Sequence, residues 1–205
     1  MAAGLEQTLT PNRSIGMKTI LASVILWSVC AILFPVAAQQ LQDGEYYIKV
    51  NATGKYLAIE GISQENSARL VQWDFVNQPN HKFIVKRYSD PRLGVYYTLQ
   101  AVHSGKYVSV EGKTTRGAKI IQYNWANQDN QRWYIDPDKN GWQIKSVEHQ
   151  YRISVSGFNA ATYTPGNGAY FIINNDERPL YFEFRSTSAI RPRSTNASEI
   201  RNIPN

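Results

Sequence analysis

The chain is poor in the residues that do covalent and catalytic chemistry. Its one cysteine, Cys30, lies inside an N-terminal apolar run. The domain that follows therefore has no disulfide, no thiol nucleophile and no zinc site of the cysteine type. The three histidines, His81, His103 and His149, stand at unrelated positions of the pattern described below. No base recurs beside a nucleophile or a carboxylate pair, and neither an H-x-x-x-H motif nor a dense carboxylate loop is written. These absences point away from an enzyme and from a bound metal or cofactor. Sustained helical periodicity is missing after residue 38. The net charge of +6 comes from 22 Lys and Arg against 16 Asp and Glu. The basic residues are scattered, so they read as surface charge and not as a nucleic-acid groove.

Residues 20–34 are apolar apart from two serines, follow Lys18 and lead to Val36-Ala37-Ala38. This is the pattern of a secretory signal peptide with cleavage after Ala38, and Met17 is an alternative start. The alternative is an uncleaved anchor, because the run is long for a secretory core. Cleavage removes Glu6, Arg13 and Lys18 and leaves a net charge of +5 from the original +6. The mature chain is then expected to be secreted, without membrane insertion, and to begin at Gln39. Asn51 in N-A-T and Asn196 in N-A-S become glycosylation acceptors in that setting. The polar, proline-containing stretch 187–205 reads as a disordered tail.

What fills the chain between is repetition. Tyr46-Tyr47 through Val85 returns, about fifty residues on, as Tyr96-Tyr97 through Ile135. GKYLAIEG from Gly54 becomes GKYVSVEG from Gly105, and SARLVQWDFVNQPNHKF from Ser67 becomes GAKIIQYNWANQDNQRW from Gly117. A weaker third copy opens with GWQIKSV at Gly141 and YRISVSG at Tyr151. Each copy alternates aromatic or β-branched residues with polar ones between Gly, Asn, Asp and Pro, which predicts short strands. Propellers with repeats of this length close with about four or more blades, and only three copies fit. The expectation is an all-β, disulfide-free β-trefoil over 39–186, with repeats near 43–87, 94–136 and 141–185. Its predicted shared core is Leu57, Ile59, Leu70, Phe83, Val108, Val110, Ile120, Trp133, Ile153 and Val155.

Asn130-Gln131-Arg132-Trp133 reads N-Q-x-W, with Tyr123 ahead of it in I-I-Q-Y-N-W. This resembles the ricin-type β-trefoil lectins, especially small fungal members whose repeats read Y-x-I, Y-L-D-L-x-x-G and N-Q-x-W in turn. The likeness covers about residues 43–184. In that family an aromatic ring stacks on the apolar face of a sugar, an Asn and an Asp grip hydroxyls, and the Gln braces the site. Such stacking and planar hydroxyl pairing follow from the apolar face of a pyranose and the geometry of amides.

Carried across, the resemblance makes Trp73 and Asn80 the ring and the polar gripper of the first copy. His81 replaces the Gln there, and Phe83 the closing Trp. In the second copy it gives Tyr123, Asn130 and Gln131. The family's Asp falls at Ala58 and at Ser109. Ser109 keeps a hydroxyl, and Glu60 and Glu111, two residues on along the same strand face, are the candidate substitutes. The third copy has Ser154 at that place and neither ring nor N-Q, and reads as structural. Trp133 and Phe83 read as core, and Asn130 and Gln131 have a second reading as partners of loop backbone.

The resemblance implies a non-catalytic lectin for galactose- or N-acetylgalactosamine-type glycans or glycoproteins. Weak sites would gain from a homodimer or from clustered glycans. A protein-binding trefoil, such as a secreted protease inhibitor, is the alternative, with Tyr88 to Leu93 and Phe158 to Gly168 as candidate loops.

Overall fold

A computed structural model describes residues 39–112, 116–157, 165–175 and 179–190. The signal segment, the Asn196 sequon, most of the Phe158 to Gly168 loop and the tail beyond Ile190 lie outside the described residues.

The alternating residues do form strands, four in each copy. The first copy gives β1 (Gly44–Val50), β2 (Tyr56–Ile59), β3 (Leu70–Trp73) and β4 (Lys82–Asp90). The second gives β5 (Gly94–Ala101), β6 (Tyr107–Val110), β7 (Ile120–Tyr123) and β8 (Trp133–Asp138), and the third β9 (Gly141–Ser146), β10 (Arg152–Val155), β11 (Phe171–Asn174) and β12 (Phe182–Ser186). The outer pair of each copy builds a barrel. β1 pairs with β4, β4 with β5, β5 with β8, β8 with β9, β9 with β12 and β12 with β1, all antiparallel, so the ring closes and its strands have no free edge. The inner pairs, β2–β3, β6–β7 and β10–β11, are hairpins. Single bridges join them to one another, Arg69 to Ile121, Val71 to Tyr170 and Lys119 to Ile172. This arrangement of three four-stranded units around a pseudo-threefold axis is a β-trefoil.

The core sits where the three copies meet. All ten residues predicted for it are buried, none more than 1% exposed. Trp133 is fully enclosed and its indole donates to the Val108 carbonyl at 3.1 Å, so the large ring is buried with its polar atom satisfied.

Three features depart from the sequence reading. The doublets Tyr46-Tyr47 and Tyr96-Tyr97 are not equivalent, because Tyr46 opposes Phe83 while Tyr97 opposes Trp133. Tyr46 therefore matches Tyr97. The first copy has one more residue than the second between Gly61 and Leu70, and a one-residue slip exchanges the faces of a strand. Order also continues past Ser186 into a short 3-10 turn, Thr187–Ile190, where the tail was expected to begin. Finally, Gly54 and Gly105 take positive φ of 71° and 67° in the β1–β2 and β5–β6 turns, and the third copy puts Gln150 there at 59°. Its side chain donates to the Val147 carbonyl at 2.8 Å, which compensates a conformation that β-carbon residues seldom adopt.

Candidate functional site

The first and second copies each place the ring position at the end of the third strand and the N-Q position on a 3-10 turn ahead of the fourth. These turns are Pro79–His81 and Asp129–Gln131. Trp73 and Tyr123 end β3 and β7 with 43% and 42% of their surface exposed, so both rings face outward. An open cleft lies beside each.

In the second copy the cleft is ≈ 800 Å³ and includes Tyr123, Ser109, Glu111, Asp129, Asn130 and Gln131 in its lining. Asn130 donates to the Val110 carbonyl at 3.0 Å, which ties the turn to β6, and its Oδ1 is buried without a partner. Gln131 is 1% exposed and fully engaged. Its Nε2 donates to Ser109 Oγ at 3.0 Å and to the Asn124 carbonyl at 2.8 Å, and its Oε1 accepts from the Ala126 amide at 2.7 Å. Ser109 in turn donates to the Tyr107 carbonyl at 3.0 Å. Ser109 and Gln131 are therefore internal braces of the 124–126 loop, and the sequence assignment of Ser109 to a sugar hydroxyl is corrected. The residue is 1% exposed and its hydroxyl is already committed in both directions. Glu111 lines the cleft.

The first-copy cleft is ≈ 230 Å³ and differently made. Asn80 repeats the link to its β2 strand, donating to the Ile59 carbonyl at 2.9 Å with Oδ1 again unpartnered. The brace is gone, because His81 replaces Gln and Ala58 replaces Ser. His81 is 1% exposed and its Nδ1 has no partner. Burial holds its pKa below the ordinary 6.5. Ile62 and Val76 join Trp73 in an apolar wall. Glu60 does not act as a free acceptor. Arg69 grips it through Nε at 2.7 Å and Nη2 at 2.5 Å, and that pairing holds the carboxyl below its usual range.

The third copy offers Asn174 in place of a ring, and the Arg116 Nε donates to it at 2.7 Å. Leu180, 3% exposed, stands where Gln131 stands in the second copy. Among the described residues of that copy, no aromatic ring ends the third strand.

Sequence reasoning missed the residues that hold the cleft walls. Gln72 and Gln122, both 0% exposed, reach out of the copy that carries them. Gln122 donates to the carbonyls of Ser63 and Glu65, and Gln72 to those of Pro165 and Gly166. Each pins the loop that forms one wall of a cleft: Ser67 lines the second, and a β-carbon on Gly168 would lie 3.6 Å from Trp73 beside the first. The signal was available as a glutamine recurring inside an otherwise apolar strand in both strong copies. Also missed was a cluster on the rim of the second cleft. Arg92, from the β4–β5 turn, forks onto Asp129 at 3.1–3.2 Å, and Arg132 bonds the same carboxylate. These two arginines, Arg92 foremost, hold the Asp129 carboxyl below its usual range. The Tyr88 to Leu93 segment is the end of β4 and the tight hairpin turn after it, in which Asp90 Oδ1 accepts from the Arg92 and Leu93 amides at 2.8 and 2.9 Å.

Asn51, in the turn after β1, is exposed and its Nδ2 donates to the Asn140 carbonyl at 2.8 Å.

The family whose sequence pattern matches is described as ricin-type beta-trefoil lectin domain-like, over residues 26–95 and 87–168. No curated protein matches the chain. Among solved structures, the designed three-fold symmetric protein ThreeFoil is 27% identical, with 68% of this chain and 98% of that one covered and a TM-score of 0.59. The Rhizoctonia solani agglutinin is 19% identical over 73% of this chain and 99% of its own, at a TM-score of 0.59. The Polyporus squamosus lectin, solved bound to the epitope Neu5Aca2-6Galb1-4GlcNAc, is 25% identical over 70% and 50%, at a TM-score of 0.51.

Proposed function

The chain belongs to the ricin-type β-trefoil lectin domain-like family, and on that premise we propose that it is a secreted, non-catalytic lectin for galactose- or N-acetylgalactosamine-type glycans, with its main site in the second copy. One observation carries the reading: the outward Tyr123 ring stands beside a cleft whose lining is polar, with Glu111, Gln128, Asp129 and Asn130 along it. An aromatic face takes the C–H side of a pyranose, and polar side chains beside it address hydroxyls. Trp73 with Asn80 forms a second, smaller site. Glycoproteins are the natural partners, and a homodimer would turn weak sites into useful avidity.

A glycan-array screen of the protein beside Tyr123→Ala tests this. The expected result is selective binding to galactose-terminated glycans that the variant loses. A blank array from a folded protein would overturn the lectin reading and leave the protein-binding trefoil.

A further inference from the structure

Resting on that reading, we infer that the second-copy cleft takes an oligosaccharide of at least two residues, and that Arg92 with Asp129 forms the subsite for the residue next to the one on Tyr123. The cleft of ≈ 800 Å³ lies high in the range of about 300–1,000 Å³ typical of small-molecule sites, and the first-copy cleft of ≈ 230 Å³ lies below it. A single pyranose on Tyr123 and Asn130 leaves the larger one partly empty. Beyond Asn130 the lining continues along the 3-10 turn to Asp129, and then to Arg92 and Glu148, which come from the β4–β5 and β9–β10 turns.

This extension is organised for hydroxyl recognition. The Arg92 guanidinium lies against Asp129 with its side chain 65% exposed, so the donors not used on the carboxylate face solvent. Arg132 holds Asp129 from the other side, with only 13% of its own side chain exposed. The donor plane is thus fixed before any ligand arrives, which lowers the ordering cost of binding. Glu148 supplies an acceptor nearby. Because two cations, Arg92 and Arg132, face two carboxylates, Asp129 and Glu148, the residue this lining suits is a neutral sugar presenting paired hydroxyls. The first copy has no counterpart: Pro79 and Lys82 take the places of Asp129 and Arg132.

The test is calorimetric titration of the whole protein with galactose and with lactose, and of Arg92→Ala and Arg92→Lys with the same two sugars. The quantity read is the ratio of lactose to galactose affinity. In the parent that ratio is expected to be about tenfold, as a single hydrogen bond to a charged group supplies. In both variants it should fall towards unity, including Arg92→Lys, which keeps the charge and loses the planar fork. Equal affinities in the parent, or a ratio preserved in Arg92→Lys, would overturn the second subsite while leaving the lectin intact. Failure of the parent to bind either sugar would remove the galactose reading and this subsite with it.

Discussion

The first and second copies share a backbone plan, and both end the third strand on an exposed ring, yet the clefts beside those rings are different objects. The second is polar, braced by a buried glutamine and rimmed by an arginine pair on one aspartate. The first is small and apolar, with a buried histidine that bonds nothing through Nδ1. Two substitutions account for much of the contrast, Gln to His at position 81 and Ser to Ala at position 58. A polar network helps only when complete, so losing one member removes the reason for the other. The first copy has abandoned the network, and the second has kept it.

The largest effect should come from cutting that brace. Gln131→Ala strands the Ala126 amide and the Asn124 carbonyl and leaves the Ser109 hydroxyl only its bond to Tyr107, and each unpaired group costs on the order of 1–3 kcal/mol where water cannot reach it. With partial rescue by water a total of about 3 kcal/mol is expected in urea unfolding. His81→Ala should cost roughly 1 kcal/mol, because it loses packing and also deletes an unpartnered nitrogen. Equal losses at the two positions would sink the contrast. Next come the rings. Tyr123→Ala and Trp73→Ala should each leave stability within about 1 kcal/mol, since both are more than two-fifths exposed. Each should weaken glycan binding at its own copy, by about thirtyfold if roughly 2 kcal/mol of stacking burial is lost. Titrating the two variants separately shows whether one copy or both bind.

Acidity should separate the copies as well. Burial lowers the His81 pKa below the ordinary 6.5, so the native state resists a proton that the unfolded chain accepts. Below about pH 6.5 the unfolded state therefore binds more protons, and stability falls as pH drops until the folded pKa is reached, with a ceiling of about 1.4 kcal/mol per pH unit for one proton. The carboxylates held low by arginine, Glu60 and Asp129 among them, lose their contribution in a separate, lower window, beginning near their ordinary values of 4.5 and 3.8. Urea curves at pH 7.5 and 5.5 should show a decline that His81→Gln flattens. An identical decline in that variant would mean that His81 is not the group responsible.

The fold was legible because repetition is a one-dimensional signal. A trefoil buries the same strand positions three times, so Leu57, Val108 and Ile153 identify one another, and the closing aromatics Phe83 and Trp133 do the same. Within the site, the rings and the N-Q position were legible for the same reason. What was not legible came from contacts between copies. Gln122 anchors a first-copy loop, Gln72 a third-copy loop, and Arg92 lies in the turn before the copy whose rim it completes. A repeat alignment compares equivalent positions and says nothing about such crossings. Ser109 was misassigned because alignment gives a residue's place in the strand but not whether its hydroxyl is already used. Glu60 was misassigned similarly, since Arg69 lies on the neighbouring strand end and claims its carboxylate.

The smallest expected effect is also the most discriminating. If the brace explains the difference between the clefts, it should be transferable to the first copy by Ala58→Ser with His81→Gln. Ala58→Ser alone puts a hydroxyl into a site that is 2% exposed and should be slightly destabilising. His81→Gln alone lacks the serine partner that Gln131 has. Together they recreate the Gln131–Ser109 pair, and the double variant should be more stable than the sum of the singles by about 1 kcal/mol, read as a coupling energy in a double-mutant cycle. The 74–76 loop would then be held as 124–126 is, and the first cleft should gain affinity for the glycan that the second one binds. A coupling of zero would mean that the backbones of the two clefts differ in a way the two side chains do not create, and that the apolar first cleft is set by its Ile62 and Val76 wall.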